Sequence, residues 1–231
     1  MQLRELVSYL DDYLATNSIT DYPGAINGLQ VESSRNIKKI AVAVDACQFT
    51  IEAAVAAGAD MLIVHHGLFW GQKAPLTGTY YRRIATIIQN DLAVYSNHLP
   101  LDAHPEIGNC PVLARQLGLT IDGGFGHING VPIGVIGTTE ISRADLVDSI
   151  RRVLGVDPLL IAHGPSICHK VGVMTGGAGT MIAEAQAAGC DTFITGEGAH
   201  HTHTHTHTYN KNDNYTLNFG AMVRGASNLI Q

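Results

Sequence analysis

The sequence predicts an α/β fold of three layers, α/β/α, with an internal duplication that makes two related lobes. Three observations predict it. Apolar, β-branched runs of strand length alternate with stretches of helical periodicity along most of the 231 residues. Two such runs flank a helix in residues 39–67, the spacing of a βαβ unit with a parallel strand pair. Residues 170–198 then repeat residues 39–67 without a gap, at an offset of 131. The identities include Lys39/Lys170, Val42/Val173, Ala54/Ala185, Ala56/Ala187, Ala57/Ala188, Gly58/Gly189, Asp60/Asp191, Ile63/Ile194 and Gly67/Gly198. A repeat of this size implies a duplicated supersecondary unit.

The elements follow in order. Leu3, Leu6, Val7, Leu10 and Leu14 fall at helical spacing, so residues 2–15 read as an amphipathic helix. A loop with Pro23 and Gly24 precedes NGLQV, Asn27 to Val31, a short strand. KIAVAVDA is a buried strand, Phe49 to Ala57 a helix stopped by Gly58, and MLIV a second buried strand ending on His65-His66-Gly67. Residues 82–91 read as a helix, Leu92 to His98 as a strand and 111–117 as a helix. Gly123, Gly124 and Gly126 mark a boundary between an N-terminal lobe, 1–125, and a C-terminal lobe, 126–231. In the second lobe VPIGVIG reads as a strand, and Ser142 with Asp145 three residues on starts a helix through Leu154.

Composition narrows the function classes. Hydrophobic residues make up 45% and charged residues 15%, which excludes disorder as the overall state. Fourteen Lys and Arg against 20 Asp and Glu give a net charge of −6. The cations are scattered, which argues against a nucleic-acid surface. No apolar run reaches the length of a membrane helix, and Met1 to Leu10 lacks the apolar core of a signal peptide. Cys47, Cys110, Cys168 and Cys190 lie far apart, so neither a disulfide framework nor a cysteine zinc site is expected and a cytoplasmic setting is.

The twelve histidines are the anomaly, and seven sit in two places: His65-His66, and His200 to His207. Ligands of parallel α/β sheets gather beyond the carboxyl ends of the strands. His65 and His66 stand at one such end. The strand ending on His98 stands at another, with Asp102 and His104 just past it. Imidazole and carboxylate donors suit zinc, iron, manganese, cobalt or nickel. Asp45 ends the first repeat strand, either lining the same edge or capping the next helix. Under the repeat, Gly196-Glu197 occupies the place of His65-His66, which makes Glu197 a candidate base. The Gly-rich TGGAG, Thr175 to Gly179, fits neither a dinucleotide nor a P-loop pattern and reads as a tight turn.

HHG, the Asn97-HLPLDAH segment, NGLQV and the late TGE together resemble the GTP cyclohydrolase 1 type 2 homologue family, also called Nif-three-like or YbgI-like dinuclear metal-binding proteins. The resemblance covers residues 1–201. It implies a duplicated α/β fold, a toroidal homohexamer and two divalent metal ions facing an internal cavity. Its metal ligands carry over onto His65, His66 and Asp102; beside them, the sequence offers His98, His104 and His201 as further pocket candidates. Family members supply two more ligands in a Gly-His-x-x-x-Glu pattern near the C-terminus, and this sequence lacks it.

In its place stands HTHTHTHT, His201 to Thr208, whose four histidines would share one face of a strand. Alternating His-Thr is also what a slippage-prone CA dinucleotide repeat encodes. One expectation is therefore that residues after about His207 are read out of the ancestral frame and are foreign to the fold; the other is a diverged tail. The leading functional expectation is a metal-dependent hydrolase acting on a small molecule, with Glu197 as base and Arg82 or Arg83 as the cations for a triphosphate. The alternatives are non-enzymatic metal storage or delivery, and a metal-stabilised scaffold.

Overall fold

A computed structural model of the chain describes residues 1–71, 74–197 and 218–220. The chain divides into two units, Met1–Leu101 and a second beginning at Asp102.

The first unit is built on a four-stranded sheet. Its strands are β1 (Gly28–Val31), β2 (Ile40–Asp45), β3 (Met61–His66) and β4 (Ala93–Ser96), in the order β1-β4-β3-β2. β2, β3 and β4 run parallel, and β1 closes the far edge antiparallel to β4. The pleat sends alternate residues to opposite faces. Leu62, Val64 and Val94 pack with Ile51 of α2 (Gln48–Ala56) and Ile87 of α3 (Gly78–Gln89). Met61, Ala93 and Tyr95 pack with Leu3 and Leu6 of α1 (Leu3–Tyr13). This unit is therefore α/β/α in itself: the central strands are apolar on both faces because both faces are covered.

The second unit opens with the last residue of α4 (Leu99–Asp102) and continues through α5 (Asn109–Gln116). Its six-stranded sheet contains β5 (Thr120–Ile128), β6 (Val131–Ser142), β7 (Leu160–Ala162), β8 (Ile167–Met174), β9 (Thr192–Thr195) and β10 (Asn218–Gly220). Their order is β5-β6-β8-β9-β10-β7. One face packs on α5 and on α6 (Arg143–Leu154), through Leu113, Leu117, Leu146, Ile150, Val171 and Ile194. As the sequence predicts, Ser142 caps α6, its Oγ accepting from Asp145 N at 3.1 Å. The opposite face carries Phe125 edge-on to Phe193, and α7 (Ile182–Ala187) packs against β5.

The duplication is visible in hydrogen bonds. In the first copy, Asp60 Oδ2 accepts from Lys38 N and Lys39 N, and Lys39 Nζ donates to Ala57 O at 2.6 Å. In the second, Asp191 Oδ2 accepts from His169 N and Lys170 N, and Lys170 Nζ donates to Ala188 O at 2.7 Å. The strand registers match as well, Ile40 facing Met61 and Val171 facing Thr192. Ile51 and Ile182, also identical at this offset, are both buried.

One expectation meets a different structure. The boundary expected at 125/126 falls inside β5, whereas the chain divides at 101/102. The glycines serve a strand, not a linker: the ladder to β6 is bulged between Ile121 and Gly124, and Gly123 and Gly126 take positive φ there. In the tail, Asn218–Gly220 form β10, paired parallel to β9 and antiparallel to β7. The HTHTHTHT tract lies outside the described residues. Among the described residues no helix is long and apolar enough to cross a membrane.

Candidate metal centre

The carboxyl ends of β2, β3 and β4 lie side by side because the strands are parallel and in register. Asp45 pairs with His66, and Val64 with Ser96. β3 is central, so His65 and His66 meet the residues that end both neighbours. His98 follows β4 by two residues. The imidazole centroids are 4.6 Å apart for His65 and His66, 4.8 Å for His65 and His98, and 5.5 Å for His66 and His98. One ring nitrogen from each lies within 4.8 Å of the others.

Each imidazole places Nδ1 against a fixed acceptor. His65 Nδ1 is 3.1 Å from Asn97 O, His66 Nδ1 is 2.7 Å from Asp45 Oδ1, and His98 Nδ1 is 2.9 Å from Asp21 Oδ1. A carbonyl or ionised carboxylate only accepts, so in the neutral ring Nδ1 carries the proton and the lone pair falls on Nε2. This is the outer-shell arrangement that orients histidines toward a metal. A tetrahedral metal bound at about 2.0–2.1 Å holds its nitrogens roughly 3.4 Å apart, so small torsional shifts close the trio around an ion. The residues present fit a divalent metal that accepts nitrogen ligands.

The acceptors are themselves held. Burial acts to raise the Asp21 carboxyl, but hydrogen bonds from His98, Asn27 and the backbone N–H groups of Leu99 and Tyr22 outweigh it and keep it well below the usual carboxylate range. Asn27 also accepts from His98 N at 2.8 Å, which fixes the backbone that carries the ring. Asn97 is fully buried; its Nδ2 donates to Thr16 Oγ1, which bonds Tyr95 Oη, which donates to Asp11 Oδ1. Burial pushes the Tyr95 phenol up, so it stays a donor. A side chain at Gly67 would displace its neighbours. A Cβ would sit 2.4 Å from Gln30 Nε2 and 2.6 Å from Ser96 Oγ, and Gln30 Oε1 accepts from Leu68 N at the turn.

Of the residues expected from sequence, the structure gathers His65, His66 and His98. Asp45 lines the edge, bonded to His66, and does not cap α2. That place falls to Cys47, whose N donates to Thr50 Oγ1. Asp102 is buried and its Oδ1 accepts from Asn109 Nδ2 at 2.7 Å. His104 Nδ1 accepts from Glu106 N and Ile107 N in a local turn. Glu197 is exposed in the second unit, its N donating to Gly176 O. His201 lies outside the described residues. Arg82 and Arg83 lie on α3, and Arg82 O accepts from Thr86 Oγ1. Sequence reasoning misses Asp21: it is 77 residues from His98 in sequence and sits in a loop without periodicity.

Comparison with known proteins supplies the wider context. The family described as Duf34/NIF3 (NGG1p interacting factor 3) matches residues 1–212. A Deinococcus radiodurans protein named "GTP cyclohydrolase 1 type 2 homolog" is 44% identical over 198 residues, covering 85% of this chain and 74% of that protein. The structure of protein ybgI superposes with a TM-score of 0.86 at 36% identity, covering 96% of this chain and 86% of that one. The structure of TTHA1606 from Thermus thermophilus superposes with a TM-score of 0.84 at 35% identity, again covering 96% of this chain and 86% of that one.

Proposed function

We infer the function from one established point: the chain belongs to the Duf34/NIF3 family. We propose that it is a metal-dependent hydrolase of a small molecule, with His65, His66 and His98 holding the ion. The observation that carries this reading is the common orientation of the three imidazoles, each with Nδ1 on a fixed acceptor. A bound divalent ion supplies an acidified water and polarises the group under attack. The chain's own contribution is preorganisation. Asp45 and Asp21 hold the protons on Nδ1 of His66 and His98, and the Asn97 carbonyl does so for His65. The buried Tyr95–Thr16–Asn97 network keeps that carbonyl in place.

The reading extends to a second metal, with Asp102 as an oxygen ligand, and to Glu197 as the base, on the family resemblance and the repeat. It also includes a homo-oligomer, on the same resemblance. The relatives' printed name puts hydrolysis of a GTP ring among the first reactions to assay. The experiment is elemental mass spectrometry on protein purified without a nickel column, followed by turnover of nucleotides and phosphate esters. Wild type is expected to carry metal and to turn over a member of the panel. His65→Ala and His66→Ala are expected to lose both while keeping the native circular dichroism. Full metal retention by both variants, or turnover unaffected by chelation, overturns the proposal.

A further inference from the structure

The three imidazoles are flanked by two large aromatic side chains that the cores leave exposed. Trp70, the sole tryptophan of the chain, is 38% exposed, and Tyr22 is 49% exposed. The Trp70 ring lies 5.1 Å from His98 and 5.9 Å from His66, and the Tyr22 ring lies 5.9 Å from His98.

Their loops are fixed to each other. Ala25 bridges to Trp70, and Ile26 N donates to Phe69 O at 3.3 Å. Gly24 and Gly71, both at positive φ, approach so closely that a Cβ on Gly24 would lie 2.8 Å from Gly71 Cα. Trp70 Nε1 donates to Gly67 O at 3.0 Å, so the one polar group of the indole is used inside the HHG turn. What remains for a ligand is the π surface. Tyr22 is tied to the same centre, because its N donates to Asp21 Oδ1, the atom that orients His98. The Trp70 ring and the Tyr22 backbone are therefore both tied to the elements that carry the imidazoles.

An aromatic ring with its polar atom satisfied, rigidly mounted and exposed beside a polar cluster, offers one recognition chemistry: stacking of another planar ring. We propose that Trp70, with Tyr22, is a stacking wall that selects ligands carrying a nucleobase-sized heteroaromatic ring and holds that ring beside the histidine trio. The proposal names the substrate class of the hydrolase reading and rests on that reading for the site's purpose. Ring binding itself can be measured without turnover.

The lone tryptophan makes the test direct. Metal-loaded full-length protein is titrated with GMP, AMP, UMP and ribose 5-phosphate, following Trp70 fluorescence and the heat of binding. The three nucleotides are expected to quench the fluorescence and to bind more tightly than ribose 5-phosphate, which has no ring. Trp70→Leu is expected to weaken nucleotide binding roughly ten- to hundredfold. Trp70→Phe, which keeps a ring, is expected to restore most of the affinity, and metal content is expected to be unchanged in both. Equal affinity for nucleotides and ribose 5-phosphate, absence of quenching, or unaltered binding by Trp70→Leu overturns the stacking wall. Nucleotide stacking on a chain that holds no metal at His65, His66 and His98 would uphold the wall and overturn the hydrolase reading instead.

Discussion

Asp21→Asn tests whether the metal centre is held from behind. The carboxylate accepts four hydrogen bonds: from His98 Nδ1 at 2.9 Å, Tyr22 N at 2.7 Å, Asn27 Nδ2 at 2.8 Å and Leu99 N at 3.0 Å. Its side chain is only 5% exposed, so water is a poor substitute. An asparagine keeps one acceptor oxygen and turns its amide nitrogen toward two of these donors. Two donors then lose their acceptor, each costing about 1–3 kcal/mol when buried. Partial relaxation of the Tyr22 loop offsets some of this, which leaves roughly 2–4 kcal/mol. The measurement is urea unfolding of metal-free protein in chelator, so that loss of bound metal does not enter the stability. The midpoint is expected to fall with the slope unchanged. A separate metal titration is expected to show about ten- to hundredfold weaker binding, as for other outer-shell partners of a ligand histidine. If Asp21→Asn unfolds within about 0.5 kcal/mol of wild type and binds metal equally well, His98 is not oriented by Asp21 and the centre is organised some other way.

Two further outcomes follow from the same geometry. Gly67→Ala is expected to destabilise by about 1–3 kcal/mol, because its Cβ displaces Gln30 and Ser96; calorimetric melting at wild-type level would show that the HHG turn tolerates a side chain. Asp60→Asn is expected to remove about 1 kcal/mol by weakening the clamp on Lys38 N and Lys39 N. Those backbone N–H groups hold the Asp60 carboxyl below its ordinary value of 3.8. A depressed carboxyl contributes stability that is present above that value and lost as pH falls below it. The gap between wild type and Asp60→Asn is therefore expected to be constant near neutrality and to narrow below about pH 4 in pH-dependent urea unfolding.

Much of the fold was legible because burial leaves a periodic trace. Leu62, Val64 and Val94 face one layer and Met61, Ala93 and Tyr95 the other, so β3 and β4 read as continuous apolar runs. The His65-His66 pair was legible because a parallel strand has a chemical end. His98 ranked lower in the sequence, as a lone histidine in a short strand, and only the register of β4 beside β3 brings it to the pair. Asp21 left no trace, since a loop carboxylate has no period and its partner is distant in sequence. β5 was hidden for the opposite reason, although VPIGVIG marked its partner β6. Glycines that serve a bulge read as glycines that serve a linker, and Phe125 was too weak an apolar signal to override them.

The duplication separates what the fold needs from what the site needs. The clamp of Asp60 on Lys38 N and Lys39 N, closed by Lys39 on Ala57 O, recurs at Asp191, Lys170 and Ala188 with nearly equal distances. Lys39 and Asp60 directly precede their strands and Ala57 ends the helix between them; Asp191 and Ala188 hold the same places in the second copy, while Lys170 lies inside the longer β8. They accompany the same strand register in both copies. At the carboxyl edge the copies part: His65-His66 in the first, Gly196-Glu197 in the second. Gly196 also packs where a Cβ would lie 2.8 Å from Gly176 N, so an imidazole could not replace it without moving the TGGAG turn. The second copy is closed to a histidine pair by its own backbone. One βαβ unit thus presents imidazoles at its strand end while its repeat presents a single carboxylate, on a framework that the same three residue types hold in both.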